Sequence, residues 1–172
     1  MKILVLNGSP RHDGQTSAMC AAFEEAAGRN GHDVTSVDVC SLDIHGCMAC
    51  EACHREGSRV CIQQDDMQKI YPVLDETEML VIASPIYYYS YSGQMQCVLN
   101  RIYALDKPEM LKKTALFLAA GAEGTFDGAV FAYYGNFPGY LKTEDMGIFT
   151  ASEEEKNLAD TAAAIQKMAS EL

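Results

Sequence analysis

A short apolar run from Lys2 to Leu6 breaks off into Asn7-Gly8-Ser9-Pro10-Arg11-His12-Asp13-Gly14-Gln15-Thr16-Ser17, and a helical pattern follows. A buried strand that ends in a Gly/Ser/Thr loop and turns into a helix N-terminus is a device for holding a phosphate. Backbone N–H groups point outward there, the helix dipole favours negative charge, and Ser, Thr and Arg add donors. Two phosphate chemistries are excluded. A dinucleotide fingerprint needs G-x-G-x-x-G, and only Gly8 and Gly14 are present. A Walker loop needs four residues between its glycines and then Lys-Ser/Thr; here five intervene and Gln15 stands in the lysine's place. A mononucleotide held by one phosphate, without metal, fits best.

Strand and helix signals alternate along the rest of the chain. Ile3–Leu6, Met79–Ala83 and Ala115–Ala120 are continuous apolar runs, as central parallel strands covered on both faces require. Val34–Val39 is interrupted by polar residues and suits an edge strand; Gly147-Ile148-Phe149 is short and suits the opposite edge. Helical stripes lie between them: Met19, Ala22, Phe23 and Ala26; Met67, Ile70, Tyr71 and Leu74, capped by Asp65 or Asp66 and interrupted by Pro72; Met95, Val98, Leu99 and Ile102; Leu158, Ala162, Ile165 and Ala169. A weaker helix is expected within Thr125–Tyr134, and Ser152-Glu153-Glu154-Glu155 reads as the cap and acidic first turn of the last helix. The expected fold class is α/β: a doubly wound, five-stranded parallel sheet of order 2-1-3-4-5 with helices on both faces. Residues 1–172 are read as one domain with a cysteine-rich loop at about 40–64. In that topology ligands bind beyond the carboxyl ends of strands one and three, so the loops at Asn7–Thr16 and Ser84–Gly93 face one ligand, and Gly121–Thr125 closes a third side.

Net charge −11 argues against nucleic acid or an anionic membrane as partner. No apolar run approaches the roughly 20 residues of a membrane span, and the first residues lack a signal peptide's apolar stretch, so the cytoplasm is the expected compartment. The seven cysteines are then not a disulfide framework. Cys20, Cys40 and Cys97 read as small buried apolar residues. The four histidines read as surface residues, with His12 alone near the phosphate loop.

The second loop, Ser84-Pro85-Ile86-Tyr87-Tyr88-Tyr89-Ser90-Tyr91-Ser92-Gly93-Gln94, is rich in aromatics. Aromatic faces and free backbone N–H groups suit a flat ring system with polar edges. A phosphate loop and a planar-ring loop at one switch point imply flavin mononucleotide, FMN. Gly8-Ser9-Pro10-Arg11 with Gly14-Gln15-Thr16, and Ser84-Pro85-Ile86-Tyr87 with Ser92-Gly93-Gln94-Met95, resemble the flavodoxin-like NAD(P)H-dependent FMN reductase family over nearly the whole chain. The resemblance implies phosphate binding by Ser9, Arg11, Gln15, Thr16 and Ser17. It also implies ring contacts from Pro85, Ile86, Tyr87 and Tyr88 with Gly121 nearby. Two departures stand out: Gln15 replaces the family's usual Asn, and Asn100-Arg101 stands where Asp-Arg is common.

Cys47-x2-Cys50-x2-Cys53-x7-Cys61 lies between the second strand and the second helix. Three thiolates at spacing three can share one cluster, with a fourth from a short excursion. The pattern resembles the compact cysteine motif of the iron–sulfur flavoproteins, a branch of the same family that holds a 4Fe–4S cluster. A zinc site and metal-free thiols remain the alternatives. Cys53-His54-Arg55-Glu56-Gly57-Ser58-Arg59 also satisfies the C-x5-R spacing of cysteine phosphatases, a remote alternative because no strand precedes it.

The resulting expectation is an FMN-dependent NAD(P)H oxidoreductase that passes hydride to the flavin and electrons to a small acceptor such as a quinone, free flavin or iron complex. Chemistry carried by the cofactor requires no catalytic side chain. The alternative is an iron–sulfur flavoprotein that carries electrons between protein partners. The resemblance implies a homodimer or higher homo-oligomer.

Overall fold

The computed structural model describes the backbone of residues 1–172 and the side chains at all positions except 56 and 57. In chain order the elements are β1 (Lys2–Asn7), α1 (Gln15–Arg29), β2 (Asp33–Asp38), α2 (Met67–Glu76), β3 (Met79–Pro85), α3 (Gly93–Ile102), β4 (Lys113–Ala120), α4 (Asp127–Tyr134), β5 (Glu144–Ser152) and α5 (Leu158–Ser170). The strands form one parallel sheet in the order β2-β1-β3-β4-β5, the doubly wound, flavodoxin-like arrangement expected.

Alternation along the strands divides the core into two layers. Ile3, Val5, Met79, Val81 and Phe117 face α1 and α5, where Met19, Phe23, Ile165 and Ala169 complete one layer. Leu4, Leu6, Leu80, Ile82, Leu116 and Leu118 face the other way, onto Ile70, Leu74, Met95, Val98 and Tyr133. At the edge, Thr35 and Ser36 of β2 stay exposed. Among the described residues, no helix is long and apolar enough to cross a membrane.

Two elements differ from the sequence reading. The last strand spans nine residues rather than three. A register shift between Thr114 and Leu116 accommodates Gly147 at φ +123°, which lets β5 follow β4 to its end. The acidic run, in turn, precedes the last helix instead of opening it. Ser152 stays in the strand, fully buried, with its N–H donating to Asn157 Oδ1 (2.9 Å) and its Oγ accepting from the Glu155 N–H (3.1 Å). That closed turn postpones the helix to Leu158.

At the start of α2, Asp65 supplies the cap: its Oδ1 accepts from the Met67 N–H (3.1 Å). The helix runs on through Pro72, which lies on its exposed side.

Candidate functional site

The loops after β1, β3 and β4 meet around a cavity of about 300 Å³ at the carboxyl ends of the strands. Ser9, Arg11, Gly14, Gln15 and Thr16 line one side, Pro85, Ile86 and Tyr87 another, and Ala119, Ala120 and Gly121 the floor. Eight of the ten residues singled out for FMN from the sequence are therefore gathered here; Ser17 and Tyr88 are not on the wall.

The β1–α1 loop is held by its own side chains. Asn7 Oδ1 accepts from the Ser9 N–H (3.0 Å), Ser9 Oγ accepts from the Arg11 N–H and donates to the Arg11 carbonyl (both 3.1 Å), and Ser17 Oγ donates to that carbonyl (2.9 Å) while accepting from Asn7 Nδ2 (3.1 Å). Ser9 and Ser17 thus shape the loop with their hydroxyls. The donors left over are the ones a phosphate needs. No side chain caps α1, and the N–H groups of Gln15, Thr16 and Ser17 take no partner among the described residues. The Arg11 guanidinium forms no ion pair among those residues. Gly8 is required by close approach, since a Cβ there would lie 3.0 Å from Met95 Cβ and Ser92 Oγ.

The β3–α3 loop is a tight turn closed by reciprocal bonds between Tyr87 and Ser90 (2.9 and 3.2 Å), with Tyr88 and Tyr89 at φ +51° and +62°. Non-glycine residues in that region carry strain. The strain is offset by anchors on both sides. Ile86 N–H donates to the Ala119 carbonyl (2.8 Å), and Ser84 Oγ accepts from the Ser92 N–H (2.9 Å). Tyr91, one of the aromatics of this loop, is buried and donates to the Ala129 carbonyl (2.7 Å). Tyr88 projects fully into solvent beside the cavity mouth.

Glu153 is a lining residue that sequence reading missed, as are Ala119 and Ala120 of the floor. The Glu153 N–H donates to the Ala120 carbonyl (3.0 Å), a contact set by β4–β5 pairing rather than by any local motif. His12 stays outside the cavity, 3.4 Å from an Asp38 carboxylate oxygen.

The cysteine segment lies against the other end of α3. Cys47, Cys50, Cys53 and Cys61 all line one small cavity of about 20 Å³, together with Asn100, Arg101 and Tyr103. Ala49 and Glu51 wrap the chain around it with φ +52° and +57°. Burial pushes the Cys53 thiol up, and the neighbouring Cys61 and Cys47 push it further. The donor set suits a soft metal centre. Among the described residues, however, no three metal-ligating side chains already stand at ligand spacing. The loop is pinned by Arg101, which is 1% exposed. Its guanidinium donates to both Asp65 oxygens (2.6 and 3.1 Å) and to the His45 carbonyl (2.9 Å). Arg101, in the Asn100-Arg101 pair that stands where Asp-Arg is common, thus takes its carboxylate partner from outside α3.

In the C-x5-R stretch, Glu56 and Gly57 lie outside the residues whose side chains are described. Its Arg59 side chain donates to the Leu105 carbonyl (3.2 Å) and pairs with Asp75 (3.0 Å), while its N–H donates to the Cys53 carbonyl (2.8 Å).

The sequence matches the NADPH-dependent FMN reductase family over residues 1–133, and the chain belongs to that family. That family is one of FMN-dependent oxidoreductases. Curated relatives include an iron-sulfur flavoprotein of Archaeoglobus fulgidus, 29% identical over 78% of this chain and 56% of that protein, so the match spans little more than half of the relative's length. An iron-sulfur flavoprotein of Methanosarcina thermophila is 25% identical over 97% of this chain and 98% of its own. Among solved structures, RosB with bound 8-demethyl-8-formylriboflavin-5'-phosphate superposes with a TM-score of 0.79 at 18% identity, covering 98% of this chain and 76% of that one. That likeness bears on the fold.

Proposed function

We propose that this chain uses FMN to pass electrons from NAD(P)H to a small acceptor such as a quinone, a free flavin or an iron complex. The observation that supports this most directly is the single cavity joining the uncapped α1 N-terminus and Arg11 to the Pro85–Tyr87 wall. FMN, when bound, supplies the chemistry: it accepts hydride at N5 and releases electrons singly or in pairs. The chain's residues bind and orient it. Arg11, Gln15, Thr16 and the first-turn N–H groups hold the phosphate, Ser9 and Ser17 brace that loop, Pro85, Ile86 and Tyr87 flank the ring, and Gly121 leaves its far side open to polar contact. The nicotinamide shares this cleft at the mouth beside Tyr87 and Tyr88. Tyr88, Tyr89, Phe131 and Tyr134 are exposed, and a second copy of the chain covers them in a homodimer or larger assembly. A reducing compartment, the cytoplasm, suits the seven free cysteines.

Anaerobic mixing of the FMN-loaded protein with NADPH or NADH tests the reading. The flavin absorbance should bleach within the mixing experiment; failure with both donors overturns the reductase and leaves a carrier.

The carrier is the second reading, favoured by the four cysteines on one cavity wall and by relatives named iron-sulfur flavoproteins. On it, Cys47, Cys50, Cys53 and Cys61 hold a 4Fe–4S cluster once the segment opens around it. Iron and inorganic sulfide in anaerobically prepared protein support the cluster; four titratable thiols without iron remove it.

A further inference from the structure

We propose that the Glu153 carboxylate faces the pyrimidine edge of the bound flavin and holds the reduced cofactor at a low potential. The inference rests on FMN occupying the cavity described above.

The sheet order places β1 and β5 three strand spacings apart, roughly 14 Å at about 4.8 Å per step. Arg11 follows β1 and Glu153 follows β5, yet both line the same cavity. The cavity therefore has a cation at one end and a carboxylate at the other. The turn carrying Glu153 is laid along the floor: Glu153 N–H donates to the Ala120 carbonyl (3.0 Å) and Glu154 N–H to that of Gly121 (3.1 Å). Its neighbours are engaged elsewhere. Glu154 accepts from the Glu123 N–H (3.2 Å), and Glu155 accepts from Ser152 Oγ (3.2 Å) and Asn157 Nδ2 (2.8 Å). Glu153 alone of the three makes no side-chain bond among the described residues, and it alone lines the cavity. Arg11 and Tyr87 are the other ionisable side chains on the wall.

A phosphate dianion goes to the Arg11 end, where the free N–H groups are and the carboxylate is not. The ring then extends toward β4 and β5. A flavin has one polar edge, an N3–H between two carbonyls with N1 beside them, and one apolar edge. A carboxylate, which only accepts, matches the N3–H. Reduction by two electrons and one proton leaves a negative charge spread over N1 and O2 on that same edge. Glu153 opposes this charge, so the ring takes a second proton from solvent more readily and gives up its electrons more easily.

The test is Glu153→Gln, with Glu154→Gln as a control that changes net charge equally from the same turn. Both are loaded with FMN and equilibrated anaerobically with redox dyes at mildly alkaline pH, and the N1 pKa of the reduced flavin is followed by absorbance. Glu153→Gln should favour reduced over oxidised FMN by about tenfold, an upward shift of about 30 mV for a two-electron couple. It should also lower the N1 pKa by about one unit, while Glu154→Gln leaves both unchanged. The proposal is overturned by an unchanged potential in Glu153→Gln or by equal shifts in the two variants. Equal tightening of oxidised and reduced FMN also overturns it, because that places the carboxylate by the phosphate. A parent protein that fails to bind FMN in a fluorescence titration sinks the cofactor reading itself, a separate result.

Discussion

Arg11 is the only cation on the cavity wall among the described residues, and its guanidinium is left unpaired beside the uncapped end of α1. A charge-assisted bond to a phosphate strengthens binding more than a neutral one. Arg11→Ala should therefore weaken FMN binding by about 1.5–3 kcal/mol, roughly ten- to hundredfold, in a fluorescence titration. Riboflavin, which has no phosphate, should lose nothing. At this scale the sequence reveals residues whose partners are close in the chain. The phosphate loop could be read because its donors are contiguous and the helix that follows them is strongly patterned. The hydroxyls of Ser17 and Tyr91 carry no mark of direction in the sequence: one closes on Asn7 and Arg11, the other on Ala129 across the fold. Glu153 was hidden for the opposite reason. Nothing near it in the chain says that β5 will deliver it to the floor built by β4.

The turn between β3 and α3 shows how one element depends on another. Its carbonyl at Tyr89 rests on Gly128 of α4, where a Cβ would lie only 2.3 Å from that oxygen. Backbone is on both sides of the contact, so Gly128→Ala forces the turn to shift. A loss of about 1–3 kcal/mol is expected, read as a lower Tm together with weaker FMN binding. Gly28→Ala is the internal contrast. That exposed position in α1 has nothing within 4 Å of its Cβ, and the change should stabilise by about 0.4–1 kcal/mol with FMN affinity intact. Elements were legible wherever apolar periodicity was unbroken: β1, β3 and the α2 stripe bury all the residues expected of them, and β4, α1 and α3 all but Ala120, Ala22 and Leu99, which are half-buried. The two revisions came where side-chain bonds or a glycine override the pattern, as Ser152 and Asn157 do before α5 and Gly147 does within β5.

Across the whole molecule, the Asp65–Arg101 pair ties the long segment between β2 and α2 to the body of the fold. Burial by itself would raise the Asp65 carboxyl. Bonds from Arg101 and from the N–H groups of His45 and Met67 outweigh it and hold the group below the usual carboxylate range. A carboxyl with a lower pKa folded than unfolded stabilises the protein above the unfolded value of about 3.9, and that stability disappears as pH falls through the folded value. Asp65→Asn should cost about 3–5 kcal/mol near neutrality, since it strands a buried guanidinium. It should also flatten the acid limb of a urea-midpoint series, whereas an unchanged acid limb would remove Asp65 from that role. Residues 39–66, which include all four clustered cysteines, contribute none of the five paired strands. They hang instead on contacts such as Arg101 to His45, Asp66 to Asp43, and Gln63 to Gly46. The sheet pairs without them, but Val39 and Cys53 are buried in the core layer that faces α2 and α3, with Leu42, Ile44 and Cys61 packed against it. Strand pairing is therefore separable from the cysteine segment in this molecule, but the order of that segment and the packing of the core layer beneath it rise and fall together.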